Sequence, residues 1–288
     1  MPTDPPALRR TRSVGEVISD AFSLLLYRGG RFFPAVIGIL AVPLMLIALG
    51  EIQGDDPEGL GLVLALVGSI AGSAAGVLVM GAAYAHALML DEDPDAEVSV
   101  ETLWRGAAAL FWPLYWLQWV IGVCIGFGAV VVMLPGIVTE SVPLLVGGGV
   151  VLLAALAYLL PGLSLSLPAR ILEEDYALDA IRRGMEVMKG AWASSLAVVV
   201  IANLIAIVVC LGPLLASGAL AEIVTGGDER SPGFAAFVML GMVGYVAFAL
   251  PAVAMLLQYL NLVERRGAPG LRARVDDIGR DEDEAPLF

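Results

Sequence analysis

Residues 113–135 read PLYWLQWVIGVCIGFGAVVVMLP and contain no Asp, Glu, Lys or Arg. A helix needs roughly 20 apolar residues to cross about 30 Å of hydrocarbon, because it rises about 1.5 Å per residue. Five other stretches lack the same charged residues, at 32–50, 60–90, 141–169, 191–221 and 231–263. The sequence therefore predicts an all-α membrane protein with six transmembrane helices in three hairpins. The predicted spans are 32–50, 60–90, 113–135, 142–168, 191–217 and 234–263.

The composition of the chain agrees with a membrane location. Apolar residues make up 59% of it and the mean hydropathy is +0.86, more apolar surface than one soluble core can bury. The formal net charge is −13, from 29 acids against 16 bases. An acidic chain is repelled by the phosphate backbone of nucleic acid, so no nucleic-acid partner is expected. The apolar composition predicts membrane lipids around the protein.

The basic residues predict an orientation. All 16 Lys and Arg except Arg230 fall in the N-terminal segment, the loops after the second and fourth spans, and the C-terminal segment. Basic loops stay on the cytoplasmic side, so both termini are predicted to be cytoplasmic, in a bacterial inner membrane. The domain is predicted at 13–266, between a disordered basic segment at 1–12 and a disordered acidic tail at 267–288.

Three amphipathic helices are predicted on the cytoplasmic side, each before an odd-numbered span, at 13–28, 99–111 and 176–189. Ser13 and Glu16 have the spacing of a capping box, and Ser99 is suited to cap the second helix. These helices either brace the bundle at the membrane surface or offer a docking surface to a soluble partner. When the three are aligned, small residues fall at equivalent positions: Ala21, Gly106 and Gly184.

The third amphipathic helix has the clearest pattern. Its predicted solvent-facing side carries two charge pairs at i,i+4 spacing, Asp179–Arg183 and Arg182–Glu186. Its predicted apolar face is formed by residues spaced three or four apart. These are Leu178, Ile181, Met185, Met188 and Trp192.

The segments LPARILEE (167–174), AIRRG (180–184) and MKGAW (188–192) resemble the linker of bacterial six-helix proteins of the glycerophosphodiester phosphodiesterase membrane-domain type. Residues 15–28 and the segment YLNLVERRG (259–267) resemble the two ends of the same family. The resemblance covers nearly the whole chain, to the membrane domain only. It implies an integral membrane protein without an assigned reaction, and it does not imply phosphodiesterase activity. The family commonly has Ser where this chain has Gly184. The linker motif residues here are Arg170, Glu173, Arg182, Arg183, Lys189 and Trp192.

No catalytic, cofactor or metal site is predicted. Ion-coupled transporters and intramembrane proteases carry ionisable groups in their spans, whereas His86 is the only such group in these six runs apart from the thiols and phenols. With a single His and two distant Cys, no zinc-ligand spacing exists. His86 is predicted to be an interfacial histidine, solvated or paired with the acidic residues at 91–93; a pH sensor is the alternative.

Two features inside the spans are candidates for packing or for a solute path. Gly68, Gly72 and Gly76 recur every fourth residue, which predicts close helix packing within the chain or between two copies. Asn203 lies near the middle of the fifth span, so its amide is predicted to face another helix. It serves either as a hydrogen-bonding group between helices or as a contact for a translocated polar solute.

The sequence favours a non-enzymatic structural or accessory component that organises lipids or membrane partners. The partner is a lipid, another membrane or cytoplasmic protein, or a second copy of the chain. The alternative is a non-ion-coupled permease or lipid-handling module, with proline-broken spans and Asn203 along its path. A cavity that includes Asn203 favours this alternative, whereas a solid core with a flat apolar flank favours the first hypothesis.

Overall fold

The computed structural model describes residues 8, 10–27, 32–34, 36–38, 45, 59–93, 98–173, 176–225 and 233–267, with side chains except at 60–62, 65 and 210–248. These residues contain no strand, and they define seven helices. The helices are α1 (Val14–Leu26), α2 (Leu60–Glu92), α3 (Val100–Val138), α4 (Val142–Leu172), α5 (Ala177–Met188), α6 (Trp192–Thr225) and α7 (Gly233–Gly267).

Four helices contain segments that are long and apolar enough to cross a membrane. They are Leu66–Glu92, Val100–Val138, Val142–Leu172 and Trp192–Val209. These segments coincide with the predicted second to fifth spans and are those of a multi-pass membrane protein. The predicted span at 32–50 lies mostly outside the described residues. Helix α7 covers the predicted span at 234–263, but none of its side chains before residue 249 is described, so six spans in three hairpins stay a prediction.

The core of the protein is built around the second half of α7. Every residue from 252 to 259 is buried, because α1, α2, α4, α5 and α6 all contact this helix. Arg12, Arg183 and Arg265, from three of the basic segments, make their contacts at this end of α7, so the core occupies the predicted cytoplasmic half.

The halves of α3 and α4 that lie away from this core are not covered by other helices among the described residues. Phe127 of α3 is 72% exposed and Leu153 of α4 is 69% exposed. In the most apolar 18-residue windows of the two helices, only 6% and 0% is buried. The two helices pack closely on each other near the turn that joins them, where Gly136 leaves room for Leu145. Lipid is the solvent in which surfaces of this kind are stable.

Two of the three short helices are confirmed as separate helices, α1 and α5. The Ser13–Glu16 capping box is present, with the Ser13 backbone N–H donating to Glu16 Oε2 at 2.6 Å. The predicted separate helix at 99–111 is wrong, because these residues form the beginning of α3, which continues through Pro113. A proline removes one backbone hydrogen bond and can bend a helix without ending it. Ser99 caps α3 as predicted, accepting from the Thr102 N–H at 3.1 Å.

Two of the three aligned small residues, Gly106 and Gly184, lie at close helix contacts. Ala21 is fully buried. A Cβ atom on Gly106 would lie 2.6 Å from the Ala85 Cβ of α2, and one on Gly184 would lie 2.4 Å from the Gly162 carbonyl oxygen of α4. Because glycine has no side chain, α3 approaches α2 closely at Gly106, and α5 approaches α4 closely at Gly184.

The predicted apolar face of α5 is only partly correct. Leu178 is 71% exposed, whereas Ala180, Gly184, Val187 and Met188 are buried. The close contact at Gly184 explains the difference. It turns the side of α5 that carries Ala180 and Gly184 toward α4, so Leu178 lies on the exposed side of the helix.

The predicted disordered segment at 1–12 lies mostly outside the described residues, so its disorder stays a prediction. Among its described positions, Leu8 is 1% exposed and Arg12 is 2% exposed, and both pack into the domain. The predicted disordered tail, apart from Gly267 at the end of α7, lies outside the described residues.

Candidate functional site

A cleft of about 730 Å³ lies among α2, α3, α4, α6 and α7, and we call it the central cleft. Its volume is in the range of small-molecule sites, roughly 300–1,000 Å³. Exposed residues of α6, among them Leu204 at 57%, lie at its edge, so it opens on the side of the bundle. Its lining residues are Gly72, Ser73, Gly76, Met80, Tyr84, Gln118, Leu160, Ser164, Leu167, Val199, Val200, Asn203, Leu204, Ile207, Pro251, Ala252 and Met255.

Small residues make room for the cleft on one side. Gly72 and Gly76 line it, and Gly68 is buried one turn earlier in α2. A glycine carries no side chain, so two turns of the α2 backbone border the cleft directly. The small face therefore borders a cavity for part of its length, which adds to its predicted role in helix packing.

Tyr84 places a polar group at the inner end of the cleft. Its side chain is fully buried, and its hydroxyl makes no hydrogen bond with any described residue. Tyr84 lies six residues before Leu90, the end of the charge-free run, hence about 9 Å inside it along the helix. An unpaired buried hydroxyl costs about 1–3 kcal/mol, so this group calls for a partner that the described protein does not supply.

Asn203 lies deeper in the cleft, about 18 Å along α6 from Ala191. Its side-chain amide nitrogen donates to the Val199 carbonyl of its own helix at 2.8 Å. The predicted hydrogen bond to another helix is therefore not observed among the described residues. The Asn203 side-chain oxygen accepts no hydrogen bond from a described residue, so it is available to a molecule in the cleft.

Three further polar side chains line the cleft: Ser73, Ser164 and Gln118. The Ser73 hydroxyl donates to the Ile70 carbonyl of its own helix at 2.8 Å. Ser164 makes no hydrogen bond with another described residue. The nearby Ser166, by contrast, donates its hydroxyl to the Leu163 carbonyl of its own helix at 2.5 Å. Gln118 is exposed and places its amide nitrogen 3.8 Å from the sulfur of Met80. The Ser164 and Gln118 side chains are suited to hydrogen-bond an oxygen-bearing molecule.

A second cleft, of about 480 Å³, lies between α2 and α3, and we call it the lateral cleft. It shares Ser73 and Gln118 with the central cleft, so the two cavities adjoin. The rest of its lining is mainly apolar and consists of Val77, Tyr115, Trp119, Gly122 and Val123.

The described lining of the central cleft carries no charge. None of its lining residues is Asp, Glu, Lys, Arg or His. The parts of the apolar runs whose side chains are not described, within 32–50, 210–221 and 231–248, also contain none of these residues. Within the described residues no group of His, Cys, Asp and Glu is arranged to hold a metal ion.

His86 lies outside the cleft and is not interfacial as predicted. It is fully buried, its Nε2 lies 3.1 Å from the Leu24 carbonyl oxygen, and its ring lies 5.3 Å from that of Phe32. Helix α1 packs over the inner end of α2 and separates this histidine from water and from the acidic residues at 91–93. Its Nδ1 has no partner among the described residues.

The linker motif residues form contacts at the predicted cytoplasmic end, away from the cleft. Arg183 Nε donates to both Glu173 carboxylate oxygens, at 3.1 and 2.9 Å, and the Tyr259 hydroxyl donates to the same carboxylate. Arg183 thus pairs with Glu173 instead of the predicted Asp179. Desolvation lowers the pKa of Arg183, but its hydrogen bonds to Glu173 and Tyr259 outweigh this and hold the pKa above its ordinary value.

The remaining motif residues have separate roles. Arg182 pairs with Glu186 at 3.1 Å on the exposed side of α5, as predicted. The Lys189 carbonyl accepts a hydrogen bond from Arg266 at 2.5 Å. Arg170 lies in the last turn of α4, and Trp192 begins α6. The motif therefore connects helices and contributes nothing to the lining of the cleft.

A second polar cluster joins the N-terminal segment to the end of α7, and we call it the N-terminal clamp. Arg12 Nε donates to Asp20 at 2.7 Å, and the backbone N–H of Arg12 donates to the Asn261 side-chain oxygen at 2.7 Å. The Asn261 amide nitrogen donates to the Arg12 carbonyl at 3.1 Å, and Arg265 donates to it at 2.5 Å. Desolvation lowers the pKa of Arg12, although its bond with Asp20 opposes this.

Sequence reasoning missed Tyr84 as a site residue. The signal available in the sequence was a phenol two helical turns inside a charge-free run, where its hydroxyl needs a partner. Asn203 and two of the three α2 glycines, by contrast, were singled out from sequence and do line the cleft.

Comparison with known proteins finds no family model, curated protein or solved structure that matches this chain. The resemblance to the glycerophosphodiester phosphodiesterase membrane domain therefore stays a prediction.

Proposed function

We propose that this chain is a lipid-handling protein of the bacterial inner membrane, with six spans and cytoplasmic termini. It binds an amphiphilic molecule of the bilayer in the central cleft without changing it chemically. The observation that carries this proposal is Tyr84, a fully buried lining residue of the cleft whose hydroxyl has no partner among the described residues. A bound molecule that accepts its hydrogen bond removes the cost of leaving it unpaired.

The position of the cleft supports a ligand from the membrane. Tyr84 and Asn203 lie about 9 and 18 Å along their helices from the inner ends, within the hydrocarbon region of the predicted spans. The edge of the cleft is formed by exposed apolar residues of α6, such as Leu204 and Ile207. A molecule that diffuses in the bilayer therefore reaches the cleft from the side, without crossing the headgroup layer.

The chemistry of the cleft supports binding over catalysis or ion coupling. Proton and ion coupling use ionisable residues inside the membrane, and the lining of the cleft has no carboxylate, amine, guanidinium or imidazole. Its hydroxyl and amide groups are suited to recognise an uncharged polar group by hydrogen bonding.

A second candidate is the structural or accessory component that the sequence favours. The observation behind it is the exposed apolar surface of the outer halves of α3 and α4, which includes Phe127 and Leu153. A second membrane protein packed on this surface would be the partner in that case.

Native mass spectrometry after extended washing in mild detergent tests both candidates. We expect the wild type to retain one lipid per chain. Leu204→Trp, which fills the edge of the cleft, should lower that occupancy at least about fivefold, whereas Leu153→Trp on the lipid-facing side of α4 should not change it. Equal occupancy in all three proteins would overturn the proposal. A stoichiometric protein partner with no retained lipid would support the accessory role instead.

A further inference from the structure

We infer that the ligand of the central cleft is an uncharged amphiphile whose carbonyl, ester or hydroxyl oxygen accepts a hydrogen bond from Tyr84. This inference rests on the proposed function and adds the class of ligand and the residue that selects it. It makes Tyr84 a residue that determines specificity, in a cleft where its hydroxyl lies among apolar neighbours.

The surroundings of Tyr84 leave its hydroxyl with no described protein atom to bond. The ring packs with buried apolar residues, among them Val77, Leu114 and Leu256. Such a hydroxyl has strong directional preferences in a low-dielectric site and costs more when unpaired than a solvated one. Any ligand oxygen within its reach is therefore favoured over a ligand that presents only carbon there.

The absence of charge along the cleft selects against ionised headgroups. A phosphate or carboxylate that leaves water needs a cation or several N–H donors, because an isolated buried charge is very costly. The lining residues supply no cation, and the guanidinium groups of Arg12 and Arg183 bond elsewhere, to Asp20 and Glu173. A neutral lipid meets this environment without an uncompensated charge.

The apolar part of such a ligand has a place beside its polar part. Tyr84 and Ser164 stand toward the inner end of the central cleft, while Leu160, Val200 and Ile207 provide an apolar wall. The lateral cleft continues the cavity between α2 and α3, where Trp119 and Val123 are exposed to the bilayer. An acyl chain that starts near Tyr84 can therefore leave through the lateral cleft and stay in hydrocarbon throughout.

The decisive experiment compares two lipids that differ only in their headgroup. Dioleoylglycerol is neutral, whereas dioleoyl phosphatidic acid carries the same chains and a phosphate. Each is titrated into the delipidated full-length protein and its occupancy is measured by native mass spectrometry. Tyr84→Phe removes the donor at nearly constant volume, and Tyr158→Phe is the matched control, because Tyr158 is 58% exposed and lies outside the cleft.

We expect the wild type to bind dioleoylglycerol at least about tenfold more tightly than phosphatidic acid. Tyr84→Phe should weaken dioleoylglycerol about 5- to 10-fold, the value of one hydrogen bond, and Tyr158→Phe should leave it unchanged. Equal or tighter binding of phosphatidic acid, or a Tyr84→Phe effect below twofold, would overturn the inference. If Leu204→Trp still excludes whichever lipid binds, the proposed function survives that failure; if it excludes neither, both are wrong.

Discussion

The two halves of the bundle are held together in different ways. The inner half contains the N-terminal clamp, the Glu173–Arg183–Tyr259 contact and a hydrogen bond from Gln258 to Ser195 at 3.2 Å. The outer halves of α3 and α4 have almost no buried residues in their most apolar windows. The inner half is thus packed and cross-linked by its own side chains, whereas the described outer surfaces depend on lipid or a partner.

This difference explains why the cleft lies where it does. Helices that are braced by polar contacts at one end can keep a space between them further along, because the contacts already hold their separation. The Arg183–Glu173–Tyr259 contact ties α4, α5 and α7 together at the inner end, and the central cleft begins above it, at Tyr84 and Ser164. Ligand binding is therefore expected to change stability less in the inner half than around the cleft.

Breaking the N-terminal clamp should give the largest loss of stability. Asp20→Ala leaves the fully buried Arg12 side chain without its carboxylate, and an uncompensated buried charge costs about 3 kcal/mol. Thermal unfolding in detergent measures the loss. The matched control is Glu101→Ala, which breaks an ion pair of similar length with Arg105 whose side chains are 75% and 77% exposed, and should cost less than about 0.5 kcal/mol. Equal losses would mean that the clamp is not a buried contact.

Adding a methyl group should have opposite effects in the two halves. In Gly184→Ala the new Cβ would lie 2.4 Å from the Gly162 carbonyl oxygen and 2.7 Å from the Ser166 nitrogen, both backbone atoms, so overpacking should cost about 1–3 kcal/mol. In Gly122→Ala the new Cβ meets nothing within 4 Å, and helix propensity should leave stability unchanged or slightly higher. Unfolding midpoints compare the two. A Gly184→Ala protein as stable as the wild type would contradict the close contact of α5 with α4.

The parts of the fold that could be predicted from sequence are those set by local patterns. Uncharged runs predict spans because burial in lipid excludes charge over the whole run. Ser13 and Ser99 predict helix starts because a cap involves residues only three positions apart. The burial of Asp20 could not be predicted from sequence for the opposite reason, since its partner Arg12 joins it to Asn261, 249 residues from Arg12.

The cleft could be predicted only in part. Asn203 and the α2 glycines stand out in sequence because polar and small residues are conspicuous in apolar runs. Which surfaces leave a space between them depends on how five helices approach one another, and no local pattern contains that information. Gly184 shows the same limit: its place in the linker motif suggests a Ser, but the 2.4 Å approach to Gly162 accepts no side chain.

The smallest expected effect concerns the start of α1, at the surface of the inner half. Hydrogen bonds from the Ser13 backbone N–H and then its hydroxyl hold the pKa of Glu16 below its ordinary value. The capping box therefore adds stability at neutral pH, and this contribution is lost as the pH falls through the lowered pKa. Glu16→Gln has no such titration, so its unfolding midpoint should fall less than that of the wild type between pH 7 and pH 3. Parallel pH profiles for wild type and Glu16→Gln would show that the Ser13–Glu16 capping box does not depend on the ionised Glu16 carboxylate. The start of α1 would then tolerate acid as well as the interior of the inner half does.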